Sequence, residues 1–411
     1  MTIIEFFDTT HIDNLVSTLL FNPEKVIFIG DNLKRMKRCS QNYLSVIREK
    51  NLKTEFHFCS VSRNNLSGII SALSKIIENE DECIFDLDGG EDLYLVAVGI
   101  LSQKYGSKVQ MHRYNVRNGM LTDCDSDGNC QLQQPVNLSV EDSIAIYGGK
   151  VMSNNTSDNV ICDWIFDDDF ISDINLMWDI CSADSGFWNA QINCLDILFK
   201  TFGKYDSLTL TFNKENAASV LNDKNRKLVL VYRFFKRLKG LGLITEYSDM
   251  SDSVTITFKN EQVKKVLAKA GLILELKITA TALSLYDNDG TAVYNDVRTG
   301  VYIDWDGKND SEVDIVNEID VILMKNLIPV FISCKNGQIE IDELYKLSTV
   351  AEHFGGKYAK KVLIASGIDK MGMFSEYLKL RADEMGIRII EDVDAMEETE
   401  LRKAVLNLYK C

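Results

Sequence analysis

With 411 residues, 45% of them apolar and 26% charged, the chain has material for roughly two to three domains with cores of their own. Lys plus Arg 45 against Asp plus Glu 61 gives a formal net charge of −16, which excludes a protein that coats nucleic acid by bulk electrostatics. Ten irregularly spaced cysteines, no signal-like apolar N-terminus and no apolar run long enough to span a bilayer lead us to expect a cytoplasmic protein with no membrane partner.

In chain order, a short lead-in precedes a buried strand at Lys25–Gly30 and a helix at Asp31–Asn51. A second strand at Lys53–Cys59 is followed by a helix from Ser62, whose Leu66, Ile69, Ile70, Leu73, Ile76 and Ile77 keep the helical period. Strands at Cys83–Leu87 and Lys108–Tyr114 flank a helix at Glu91–Tyr105. Alternating strands and helices predict a parallel, doubly wound sheet with its ligand at the carboxyl ends of the strands. Two of those ends carry glycine turns, Gly30-Asp31-Asn32 and Asp88-Gly89-Gly90 followed by Glu91. A glycine turn feeding a helix N-terminus suits a phosphate; Glu91 and Asp92 serve equally well as first-turn partners of the helix dipole.

Tyr114–Leu132 reads as an exposed polar connection, and Leu138–Gly149 as a short helix capped at Ser139. Cys124 and Cys130 in that connection have no second Cys or His pair nearby and do not make a zinc site. The Asp167-Asp168-Asp169 run in the acidic stretch Val151–Asp173 reads as a solvated loop. Helical spacing over Ile174–Lys200, a strand at Thr209–Phe212 and a helix at Lys214–Leu221 precede a basic helix over Arg226–Lys239. Two short strands, Ile244–Tyr247 and Ser253–Phe258, complete a winged-helix-like pattern. Arg226, Lys227, Arg233, Lys236, Arg237 and Lys239 form the densest basic cluster of the chain, a phosphate-contacting face or a solvated helix face.

In the last third, Glu261–Ala270 is helical, Gly271 interrupts it, and Leu272–Ile278 is apolar apart from Glu275 and Lys277. The strand Val293–Asp306 leads into a hairpin, Asn317–Gly337, in which two apolar runs carry charges at spacing two. Glu318 and Asp320 share a face of the first strand, as do Ser333 and Lys335 of the second. Such groups at the ends of apolar strands are either ion-paired across the hairpin or hold a cation. Gln338–Phe354 is an amphipathic helix with Glu340, Asp342 and Glu343 in its first turn, and Lys361–Ala365, Ser375–Met385 and Ile387–Glu391 continue as strand, helix and strand.

These motifs carry two resemblances. The segments VIFIGDN and FDLDGGEDLYLVAVGIL resemble the CRISPR-associated Rossmann-fold (CARF) sensor domain, whose corresponding loops cradle a cyclic oligoadenylate across a homodimer axis. The Asp320 hairpin with Ser333-x-Lys335 resembles the core of the PD-(D/E)xK nucleases, and GLILELKI around Glu275 resembles the first core helix of the CARF-nuclease branch. The second resemblance implies Glu275 and Asp320 as ligands of Mg2+ or Mn2+ and Lys335 as the group that orients the nucleophile or stabilises charge. Glu318 then assists the metal, and Ser333 stands where the family has an acid; Glu340 and Glu343 are equal candidates for the missing carboxylate. The first resemblance implies Gly30, Asp31, Asn32, Asp88, Gly89, Gly90 and Glu91 as ring contacts.

The expectation is an α/β protein of three parts. A CARF sensor with a Rossmann-like parallel sheet over 1–150 is followed by a linker and winged-helix-like module over 151–260, and then by a restriction-endonuclease-like α/β domain over 261–411. The implied function is a homodimeric, metal-dependent endonuclease of antiviral type III CRISPR defence, activated by cyclic oligoadenylate such as cyclic tetra-adenylate and cutting DNA or RNA. The alternative is a ligand-sensing, non-catalytic DNA-binding regulator with a decayed nuclease domain. An ordinary nucleotide-using α/β enzyme is disfavoured, because no phosphate-transfer lysine follows either glycine turn.

Overall fold

The computed structural model describes residues 1–411 except 125–127, 154–162, 205–206, 224–225, 309–315, 338, 368–372 and 411. Its first strand is the segment read above as a lead-in: β1 (Thr2–Phe6) is buried along its whole length and lies at the centre of the N-terminal sheet. Five residues without alternation give no periodic signal; only the strands on either side make this segment a strand. Next come α1 (Val16–Phe21), β2 (Lys25–Gly30), α2 (Leu33–Glu49), β3 (Glu55–Ser60), α3 (Leu66–Asn79), β4 (Cys83–Asp86), α4 (Asp92–Tyr105) and β5 (Val109–Asn115). The first five strands are parallel in the order β3-β2-β1-β4-β5. The order reverses between β1 and β4, which puts the ligand crevice of a doubly wound sheet beside the loops that leave those strands. The connection expected after Tyr114 instead extends the sheet with two antiparallel strands, β6 (Met120–Asp123) and β7 (Cys130–Leu132). Both are short, and the edge strand β7 is exposed throughout, so composition alone reads the segment as loop.

The helix α5 (Val140–Ile146) begins with a capping box between Ser139 and Asp142, and β8 (Lys150–Val151) follows it. In the middle region, α6 (Asp168–Ala183) and α7 (Ser185–Phe202) divide at Asp184, whose side chain caps α7 by accepting from Phe187 N. Asp167 caps α6 in the same way, so the aspartate run is a helix start rather than a loop. Beyond β9 (Thr209–Asn213) and α8 (Lys214–Leu221), Asn222–Asp223 (β10) pairs with Arg226–Lys227 (β11). The basic helix is therefore shorter than its sequence suggests: α9 covers Tyr232–Gly240. Leu228–Val231 stays non-helical because buried Gln191 clamps it, donating to Val229 O at 3.1 Å and accepting from Val231 N at 2.8 Å. The strands β12 (Ile244–Asp249) and β13 (Ser253–Phe258) join β9 in a three-stranded sheet.

Two helices, α10 (Glu261–Val266) and α11 (Leu272–Leu283), open the C-terminal region, and β14 (Asp296–Asp304), β15 (Val316–Lys325) and β16 (Ile328–Asn336) form its antiparallel core. Residues 309–315, between the lead-in strand and the hairpin, lie outside the described residues. The chain closes with α12 (Ile341–Gly355), β17 (Lys360–Ser366), α13 (Met373–Glu384), β18 (Ile387–Ile390) and α14 (Glu398–Leu406). Strand order in this sheet is β18-β17-β16-β15-β14-β8, so Lys150–Val151 belongs to it.

One apolar cluster is continuous between the two large sheets. It holds Ile3, Val26 and Phe28 of the first, Val301, Ile319 and Phe331 of the second, and Tyr43, Ile144 and Phe354 from the helices between them. A second cluster joins α6, α7 and the three-stranded sheet to α11 and to the opposite face of β15 and β16. The middle region and the N-terminal sheet thus grip the hairpin from its two sides.

Candidate active site

The hairpin splits where its charged residues begin. Pairing of β15 with β16 runs from Lys325–Ile328 to Val321–Ile332. At the next position the Asp320 carboxylate takes the Cys334 N–H at 2.6 Å and the Ser333 hydroxyl at 3.2 Å. The strand therefore continues into β17 pairing on one side, while its freed edge opens towards α11. On the other flank, Gly300 lies opposite Asp320 in the β14–β15 register, between Thr299–Val321 and Val301–Ile319. Its φ of +61° is a glycine conformation, and a Cβ placed there would meet nothing within 4 Å. Space is thereby left open beside the Asp320 backbone.

Glu275 comes to this fork from the first turn of α11, only 8% exposed, and its Oε2 has no hydrogen-bond partner among the described residues. Burial, and then the Asp320 charge, push its carboxyl up to about 8, partly opposed by Lys269. Burial also raises Asp320, against the lowering effect of its Cys334 N–H bond. Lys335 Nζ sits 3.0 Å from Glu343 Oε2 at the start of α12. Burial works to lower the ammonium, but Asp320, Glu343 and Glu275 outweigh it and hold Lys335 above the ordinary lysine range. Glu318 points to the rim and pairs with Lys269 at 3.3 Å.

The ion pair expected across the hairpin is thus absent from the described residues' salt bridges: Lys335 and Glu318 each take a partner from another element. Of the two acids weighed as replacements at Ser333, Glu343 reaches Lys335, whereas exposed Glu340 precedes α12 as its N-cap. A buried carboxylate with an orphaned oxygen, Glu275, and the half-buried Asp320 fit a divalent cation, since a Mg2+ site often uses only one or two protein carboxylates. Among the described residues no three His, Cys, Asp or Glu side chains form a closed metal cage. An open site with few protein ligands is the arrangement a catalytic ion needs.

At the other candidate site, the turns Gly30–Asn32 and Asp88–Glu91 lie side by side beyond β2 and β4, joined by a residue that sequence reasoning missed. Arg63, in the loop after β3, sits 3.4 Å from Asp31 Oδ2 and 2.9 Å from Glu91 Oε1. Asn32 caps α2 by accepting from Arg35 N, while Glu91 leaves the N-terminus of α4 without a side-chain cap. Gly90 has φ +100°, and a Cβ there would lie 2.5 Å from Phe6 Cβ, so the turn packs directly on the end of β1. Asp88 turns inward: it accepts from Tyr114 N at 2.7 Å, and burial followed by the Asp86 charge pushes it up to about 8. The loop after β1 was also missed. Its Asp8 backbone is pinned by Asn14, and the polar run Asp8-Thr9-Thr10-His11 after an apolar segment was the available signal.

Beneath these loops, Glu5, Asp86 and His112 stand in one row across β1, β4 and β5, with Ser17 bonded to both Asp86 and His112. Nearby, buried Asp13 accepts from the Lys357 ammonium and, at 2.8 Å, from the Tyr358 hydroxyl, both just past α12. The helix whose first turn carries Glu343 beside Lys335 therefore ends against buried Asp13 in the loop after β1.

No protein-family model matches the chain, and no curated protein sequence matches it. Solved structures do. Protein VC1899 from Vibrio cholerae aligns over 100% of this chain and 98% of its own, with a TM-score of 0.73 at 18% identity. Can2 from Sulfobacillus thermosulfidooxidans, solved in complex with cyclic tetra-adenylate, aligns over 100% of this chain and 99% of its own, with a TM-score of 0.67 at 14% identity. The chain has their fold. A type III CRISPR defence DNA nuclease activated by cyclic oligoadenylate is a more distant neighbour, at TM-score 0.48 and 14% identity over 89% of this chain and 45% of that one. The α/β architecture expected from the CARF and nuclease resemblances is thus the observed one. No helix among the described residues is long and apolar enough to cross a membrane.

Proposed function

We propose that the chain is a cyclic-oligoadenylate-activated, metal-dependent nuclease acting as a homodimer, with its sensor in 1–150, a winged-helix-like connection in 151–260 and its nuclease domain in 261–411. The observation that carries this reading is the convergence of Glu275, Asp320 and Lys335 at the hairpin fork. Likeness in fold to Can2, which binds cyclic tetra-adenylate, supports the choice of activator.

A Mg2+ or Mn2+ ion held by Glu275 and Asp320 would polarise the scissile phosphate and lower the pKa of the attacking water. The chain's own residues prepare that chemistry. Ser333 and the Cys334 N–H fix one Asp320 oxygen, leaving the carboxylate a defined orientation. With its carboxyl raised to about 8, Glu275 holds a proton near neutral pH that a cation must displace. Lys335 stays cationic throughout the working range and stabilises charge developing on the phosphate. In the sensor, the uncapped start of α4 and Arg63 offer N–H groups and a cation to a ring phosphate.

Exposed Leu95, Val96 and Ile100 give α4 an apolar stripe beside those loops, which suits the second protomer. Ring binding then activates only through a higher affinity for the active dimer. Incubation of plasmid and of single-stranded RNA with Mn2+, with and without cyclic tetra-adenylate, tests the reading: ring-dependent cleavage is expected. Absence of cleavage with every ring size, together with ring-dependent duplex binding, would favour the regulator reading, to which Ser333 lends its one supporting observation.

A further inference from the structure

A cleft of about 670 Å3 runs from the fork to the middle region, and its walls come from three parts of the chain. Glu275 and Glu318 form its inner end, Lys265 in the last turn of α10 and Lys269 just after it flank it, Lys200 and Asp196 of α7 stand opposite, and Trp164 closes the far side. Two of its three lysines are paired within the cleft, Lys269 with Glu318 at 3.3 Å and Lys200 with Asp196, which also lines it, at 2.7 Å. The Lys265 ammonium lies 6.0 Å from the Trp164 ring centroid. Trp164 is rigid, stacked on Phe170 at 5.6 Å with 2° between the planes. Gly300 keeps the inner wall open beside Asp320.

We infer that this cleft holds a single-stranded segment of the nucleic-acid substrate next to the scissile phosphate, with Lys265 on a phosphate and an unpaired base against the Trp164 edge of the groove. The chemistry is that of single-strand sites, in which a positively charged groove tracks the backbone and an aromatic side chain accepts a base without reading its identity. A cation on Glu275 and Asp320 would neutralise the inner end of the cleft, where Lys265 and Trp164 then face the strand. The middle module thereby contributes to substrate binding through Trp164, α7 and α10, and not through the basic helix α9, none of whose residues lines this cleft. The assignment of the strand as substrate rests on the nuclease reading; its binding does not.

The test uses the full-length protein, fluorescein-labelled oligothymidylate and oligouridylate, a duplex control, and Ca2+ as the cation, with binding read by anisotropy. Trp164→Ala is expected to weaken strand binding by about 5- to 150-fold, the range of one lost stacking contact. Lys265→Ala is expected to reduce the slope of log affinity against log salt by about 0.7, one phosphate contact on a single strand. Trp164→Phe keeps the ring and the fold; in it the quenching of tryptophan fluorescence by the strand should disappear. Wild-type affinity and salt slope in the Ala variants, or binding of the duplex as tight as the strand, would overturn the inference. Hydrolysis of bis(p-nitrophenyl) phosphate with Mn2+ is measured separately. Intact strand binding in a protein that hydrolyses neither ester nor strand would uphold the cleft and remove the nuclease reading.

Discussion

Lys335 and Glu343 form an ion pair at 3.0 Å that joins the second strand of the hairpin to the first turn of α12, the helix whose far end meets Asp13 through Lys357 and Tyr358. One helix thus reaches the candidate catalytic lysine at one end and, at the other, buried Asp13 in the loop that leaves the central parallel strand of the N-terminal sheet. Its flank packs in the apolar cluster shared by both sheets.

Replacement of Lys335 by Ala removes the only cation bonded to Glu343 from β16. Cleavage should fall by about 10²–10³-fold, the usual loss for a group that stabilises transition-state charge. Ring binding, followed by calorimetry, should be unchanged; retained cleavage would remove Lys335 from the site.

At the other end of α12, the double variant Lys357→Ala/Tyr358→Phe strips Asp13 of both partners. A buried acceptor left unsatisfied costs roughly 1–3 kcal/mol, visible in denaturant melts. The ratio of ring-activated to basal cleavage should drop while ring affinity holds. An unchanged ratio would show that α12 does not carry the coupling.

Glu275 makes the metal-free protein pH-sensitive. Its folded carboxyl is raised from 4.5 to about 8, so between those values the unfolded chain ionises while the native one keeps its proton. Native stability from this group therefore falls as pH rises through that window, then levels off. In EDTA at pH 8, Glu275→Gln should melt higher than wild type, and the advantage should vanish near pH 4. Cleavage should be lost in the same variant, and the affinity of the wild type for Mn2+ should rise with pH over the same interval.

Ile100→Glu places a charge in the exposed stripe of α4, where Val96 and Ile100 are 48% and 44% exposed. Sedimentation should show loss of the dimer with normal secondary structure. A variant that stays dimeric would move the interface elsewhere.

Gln191→Ala leaves Val229 O and Val231 N without their buried partner. Stability should fall by about 1–3 kcal/mol, and limited proteolysis should open the chain between β11 and α9.

Local pattern carried much of this structure. The apolar stripe of α3, the alternation of strands and helices around it, and the hairpin with charges at spacing two were legible because periodicity records which face is buried. Asp320 was legible too, as a carboxylate at the end of an apolar strand, whereas Glu275 stood out only through the resemblance of its segment to a nuclease helix. Other features left no such trace. Nothing in Leu228–Val231 announces that Gln191 holds it extended, and nothing in Thr2–Phe6 marks it as the central strand.

What the sequence by itself determined was most of the strongly periodic elements and the groups that ask for an explanation: Asp320, Lys335 and the two glycine turns. Tertiary structure alone decided their partners. It gave Lys335 to Glu343 and not to the hairpin's own acids, placed Arg63 between Asp31 and Glu91, and ran α12 from the fork to Asp13. Ion pairs and clefts join residues far apart in sequence, so their geometry follows from how the sheets pack across a shared core, and no local spacing encodes it.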